Sequence, residues 1–154
     1  MAYQTVPGGA ASHRSHRSPF RSDAIDIPLG SPEVAKKGSD LEYKVRMNAG
    51  DSLVYSWTVS GLSDPQKLHY DLHGEMPAGP ANPVGKVAEY IKGHAAESHG
   101  TLTALMAGVH GWYLQNLSSK PLVVHLKLSG FYELVPPGEY GNQAGIVANA
   151  PRTG

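Results

Sequence analysis

The chain has 154 residues, enough for one domain with a real core and too few for two ordinary ones. Thirteen basic residues balance thirteen acidic ones, so no global charge steers the chain toward nucleic acid or an anionic membrane surface. The absence of cysteine excludes disulfides, thiolate nucleophiles and cysteine-ligated zinc; eight histidines leave open a metal site built from His, Asp, Glu or Met.

Residues 1 to 22 are rich in Gly, Ser, Pro, His and Arg, the composition of a polar, basic, disordered arm that builds no core of its own. Its arginines Arg14, Arg17 and Arg21 make too small an electrostatic footprint to predict nucleic-acid binding. No apolar run reaches the roughly 18 to 20 residues that span a bilayer, and the first twenty residues lack the apolar stretch of a secretory signal, so no transmembrane segment is expected.

From Asp23 to Leu134 the hydrophobic period is two. Ile25, Ile27 and Leu29 alternate with Asp26 and Pro28, and the proline predicts a sheet edge. Leu41, Tyr43, Val45 and Met47 alternate with Glu42, Lys44 and Arg46. After the turn Asn48-Ala49-Gly50-Asp51, the residues Leu53, Tyr55, Trp57 and Val59 alternate with small polar ones, which predicts a hairpin between 41–47 and 52–60. A strand over 67–73 places Leu68, Tyr70 and Leu72 on one side and His69, Asp71 and His73 on the other.

Met76 to Gly85 is a loop by its prolines and glycines, and Val87 to Lys92 fits either a short strand or one helical turn. Gly93 to Gly100 is a polar connection that holds His94 and His99. Strands follow at about 101–106, 109–116 and 121–134, with a bulge or bend at Gly130. The tail 136–154 reads as a second extended arm. Short strands at regular spacing predict an all-β antiparallel sandwich or jelly roll over 23–135, whose core includes Leu41, Tyr43, Val45, Leu53, Tyr55, Trp57, Leu122, Val124 and Leu126. Neither arm has the apolar periodicity to join that core, so the arms are expected to be dispensable for folding and needed for assembly.

Several phrases together carry a family resemblance: Phe20-Arg21-Ser22-Asp23-Ala24-Ile25-Asp26-Ile27-Pro28-Leu29, Leu41 to Met47, Gly50-Asp51-Ser52-Leu53-Val54-Tyr55-Ser56-Trp57, Tyr70-Asp71-Leu72-His73-Gly74-Glu75, Gly108-Val109-His110-Gly111-Trp112-Tyr113 and Leu128 to Leu134. Over about residues 19 to 135 the chain resembles small bacterial membrane-anchored periplasmic proteins with a β-sandwich like the GOLD domains of p24 cargo proteins. The resemblance implies the sandwich and a periplasmic, membrane-associated setting. Such proteins carry an amino-terminal transmembrane helix where this chain has its polar arm, and the segment from Pro32 to Gly38 is longer here.

Two chemistries compete for the histidines. In one, His73 and Glu75, with His110 from a neighbouring strand and His94 or His99 from the connection after residue 92, bind a divalent transition metal such as zinc, copper or nickel. In the other, which is preferred, His73 and His110 make ordinary hydrogen bonds at the rim of the sandwich. No serine lies in a nucleophile-elbow phrase, and Trp57, Trp112, Tyr55 and Tyr113 read as packing residues. The expected function is a non-catalytic accessory subunit with protein partners in a membrane-associated complex; the alternative is a periplasmic metal- or small-ligand-binding protein.

Overall fold

Alternation of apolar and polar side chains lets a strand bury one face and solvate the other, and two such faces closed together make a core. The computed structural model, which describes residues 2–9, 12–33 and 38–151, realises this with two antiparallel sheets. Residues 34–37 of the expected insertion lie outside the described residues. The strands are β1 (Phe20–Leu29), β2 (Asp40–Met47), β3 (Ser52–Ser60), β4 (Leu68–Met76), β5 (Lys86–His94), β6 (Glu97–Thr103), β7 (Gly108–Asn116), β8 (Leu122–Phe131) and β9 (Glu133–Leu134). One sheet runs β1-β8-β3-β6 and the other β5-β4-β7-β2-β9. The first eight strands thus follow the order of a jelly roll.

Pro28 sits on β1, at a sheet edge, where its missing N–H costs no ladder bond. Residues 86 to 94 resolve the strand-or-helix ambiguity as β5. The predicted hairpin is corrected: β2 pairs with β7 and β9, whereas β3 pairs with β6 and β8, so the turn at 48–51 carries the chain from one sheet to the other. The alternation is the same whether two strands lie side by side or face to face, and it cannot distinguish a hairpin from an arch. A second crossing follows Gly130, where the chain leaves β8 and joins β2 through β9.

The core forms where the inner faces meet. Ile25, Ile27, Leu53, Trp57, Leu122, Val124, Leu126 and Leu128 come from one sheet, and Tyr43, Val45, Leu68, Leu72, Trp112 and Leu114 from the other. Aromatic edges join the layers: Tyr55 meets Trp112 at 5.2 Å between ring centres, and Trp57 meets Tyr70 at 5.3 Å, both near perpendicular. Of the expected core only Leu41 is partly exposed, while Tyr113 lies on the outer face of its strand.

Both arms dock on the sandwich, and the carboxy-terminal one corrects the expectation that neither joins the core. In the amino-terminal arm, His16 stacks on Phe131 and reaches Asp51 at 3.0 Å, and the buried Ser18 hydroxyl donates to the same carboxylate at 2.6 Å. The carboxy-terminal segment packs Ile146 and Ala148 against the core. The buried Asn142 side chain donates to the Val135 and Ile146 carbonyls and accepts from the Ile146 N–H. Asn149 then bonds the β1 edge, donating its N–H to the Ala24 carbonyl and its side-chain amide to Asp23. This strap runs from β2, beyond its short pairing with β9, to the edge strand β1 of the other sheet.

The docking points include two buried carboxyls, Asp23 and Asp51. Burial pushes the Asp23 carboxyl up, but bonds from Arg21, Tyr132 and Asn149 outweigh it and hold the group below the usual range. Asp51 is likewise raised by burial and lowered further by Ser18, the Asn48 N–H and His16. A carboxyl depressed in the folded state contributes stability that is full above its unfolded value of about 4 and is lost as pH falls through the folded value. Denaturant midpoints should therefore be flat above about pH 5 and drop toward pH 3, with a shallower drop in Asp23→Asn and Asp51→Asn. An equal drop in both variants and the parent would assign the acid sensitivity elsewhere.

Candidate functional site

The outer face of the five-stranded sheet gathers the charged chemistry. Register places Lys44 of β2 opposite Gly111 of β7, Gly111 opposite His73 of β4, and His73 opposite Glu89 of β5. A Cβ at Gly111 would fall within 3.0 Å of the Tyr43 carbonyl oxygen and of Lys44 Cα, so the close approach of β2 to β7 requires glycine. With no side chain at 111, the Lys44 stem can cross β7 toward Glu75.

Lys44 is only 1% exposed although it points away from the core. The strap covers it, anchored by Lys44 N–H donating to the Gly141 carbonyl at 2.9 Å and by Arg46 pairing with Glu139 at 2.6 Å. Its ammonium pairs with Glu42 and, at 3.3 Å, with Glu75. Glu75 also meets His73 Nε2 at 2.9 Å and accepts from the Tyr140 hydroxyl of the strap. Burial pushes the Glu75 carboxyl up, and these partners, Tyr140 first, then His73 and Lys44, outweigh it and hold the carboxyl low. The second nitrogen of His73 faces its own strand, 3.3 Å from the Asp71 carbonyl oxygen.

Of the expected ligands, the structure brings together His73 and Glu75, and it adds Glu42. One donor atom from each of these three lies within 4.8 Å of the others. The Lys44 ammonium is bonded to both carboxylates, so the positive charge such donors attract is supplied by the chain itself, and a metal ion would have to displace it.

The remaining candidates lie elsewhere. His110 is fully buried on the inner face, opposite Gly74, where any Cβ would strike the imidazole. Its Nε2 lies 2.8 Å from the Met106 carbonyl and must carry the proton it donates, which leaves Nδ1 to accept from the Tyr90 hydroxyl at 3.0 Å. Tyr90 in turn accepts from the Leu105 N–H. Burial pulls the His110 pKa down, and the ring is a neutral structural link with both nitrogens engaged. The sequence holds the signal for this: His110 is two residues from Trp112 and four from Leu114, so it shares their inward face.

His94 lies on the outer face beside His69, whereas His99 belongs to the other sheet and bonds the Ser56 hydroxyl at 2.6 Å. Residues 93 to 100 are two strand ends and a short crossing, not the expected open connection. The functional residues that the sequence reasoning missed are Glu42, Lys44 and Tyr140. The first two read as a solvated strand face, and the strap that bonds the lysine's N–H comes from far along the chain. Comparison with protein-family models and with curated proteins finds no match for this chain.

Proposed function

We propose that the protein is a non-catalytic β-sandwich interaction module, an accessory subunit of a membrane-associated, extracytoplasmic assembly. The setting rests on the family resemblance. The observation that supports an interaction role is the β5 side of the molecule. There, a nine-residue strand ends the five-stranded sheet with no further partner strand among the described residues, and Val87, Ile91 and the flanking Val84 are exposed. An unpaired edge with apolar side chains offers main-chain hydrogen bonds and contact area to a strand of another protein. The charged cluster on the same sheet supports a structural role, since its ammonium, carboxylates and imidazole satisfy one another.

A photo-crosslinking residue placed at Ile91 in the native host should capture a discrete protein, and one at the exposed Lys127 on β8 should not. An Ile91→Asp variant that keeps its thermal melt should lose the assembly. Equal capture from both positions, or intact assembly of the variant, would overturn the reading.

A further inference from the structure

We propose that His69 and His94 form a bis-imidazole site for a divalent first-row transition ion, separate from the lysine cluster and independent of the interaction role. The two residues are directly opposed on the antiparallel strands β4 and β5 and share the outer face. Their ring centres lie 5.1 Å apart with the planes inclined at 54°. Two imidazoles that bind one ion, each through a single nitrogen at about 2.0 Å and at a near-tetrahedral angle, set their ring centres about 5 Å apart. The backbone register therefore holds the two ring centres at the separation that chelation of one ion gives.

The hydrogen bonding separates this pair from five of the other six histidines, and His13 stands alone on the arm. His16, His73, His99, His110 and His125 each bond an acid, a hydroxyl or a carbonyl: Asp51, Glu75, Ser56, Tyr90 with Met106, and Asp26 with Ser60. Among the described residues the His69 and His94 rings make no hydrogen bond or ion pair; their ring contacts are with each other and, for His69, with the edge of Tyr113 at 6.1 Å. Tyr113 is held in place by donating its hydroxyl to Asp40 at 2.9 Å and walls one side. His69 is half-buried and His94 exposed, so the donors are reachable from solvent and their nitrogens are uncommitted. Neutral imidazole suits Zn²⁺, Ni²⁺ and Cu²⁺ rather than Mg²⁺ or Ca²⁺. Two protein donors leave coordination positions open to water or to a further ligand, as in sites that exchange their ion rather than bury it.

The test is a titration of the full chain with NiCl₂ near pH 7.5, where free imidazole is neutral, followed by NMR of the histidine ring signals and by calorimetry. The ring signals of His69 and His94 should broaden first and together, ahead of His13, an exposed imidazole on the arm that serves as the lone-histidine control. Each of His69→Ala and His94→Ala should weaken binding at least about tenfold, because a single ring loses the effective concentration of its neighbour. His73→Ala should bind as the parent does. Broadening of His69 and His94 no earlier than His13, or unchanged affinity in both single variants, would overturn the site. A melt of each variant within a few degrees of the parent excludes misfolding as the cause of lost binding.

Discussion

Replacing Lys44 with methionine should destabilise the fold by about 3 kcal/mol, at the low end of what breaking a buried ion pair costs. Methionine keeps most of the apolar stem, so the loss reports the charge rather than the packing. In the parent the ammonium is paired with Glu42 and Glu75 beneath the strap, and its removal leaves two carboxylates side by side with no cation between them. Both carboxylates keep some solvent, with side chains 37% and 23% exposed, which is why the upper end of the range is not reached. The Glu75 carboxyl, held low partly by Lys44, should titrate higher in the variant.

Adding Glu42→Gln and Glu75→Gln to Lys44→Met should recover most of the stability, since the remaining groups are then neutral. Zinc should raise the melting temperature of Lys44→Met more than that of the parent, because Glu42, His73 and Glu75 then have no internal cation to displace. Denaturant unfolding of the three proteins decides the matter. A cost below about 1 kcal/mol for Lys44→Met, within what an exposed pair contributes, would mean that the cluster is no more than a surface ion pair.

How much of this was legible in the sequence depends on the range of the interaction. The alternation in β1, β2, β3 and β8 is local, and it correctly predicts two-faced strands, an edge at Pro28 and an all-β sandwich. Sheet membership is not local: the 48–51 turn separates strands that lie in different sheets, a fact that only the pairing partners reveal. The site divides in the same way. His73 and Glu75 are two residues apart on one strand, a spacing that puts them on one face. Lys44 and Glu42 join them only because β7 carries a glycine at the crossing point and because a segment nearly a hundred residues along the chain folds over the lysine. Asn, Gly and Pro make that segment look like a tail. Its holding power lies in single side chains, Asn142 and Asn149, whose bonds have no periodic signature.

Deleting residues 136 to 154 should cost the sandwich more than about 3 kcal/mol, the reverse of what the composition of that segment suggests. The deletion uncovers Lys44 together with Tyr43, which shares the lining of one groove with Pro136, Pro137, Ile146 and Ala148. It also removes the buried Asn142 network, the Asn149 bonds to β1 and the Tyr140 contact to Glu75. The exposed β2 edge would present unpaired backbone groups where the Lys44 N–H now meets the Gly141 carbonyl. Tyr43 supplies a second readout. Burial pushes its pKa up to about 12, and loss of the strap should bring it back toward the usual value near 10. Removing residues 1 to 15 instead should cost about 1 kcal/mol or less, because the anchors His16 and Ser18 remain and the described residues of that stretch are exposed. Melts of chains 1–135 and 16–154 beside the full protein, with ultraviolet titration of tyrosine, give both comparisons. If 1–135 melts with the full chain and its tyrosines titrate unchanged, the strap lies on the sandwich without holding it. Lys44 would then owe its ion pairs to the sheet alone.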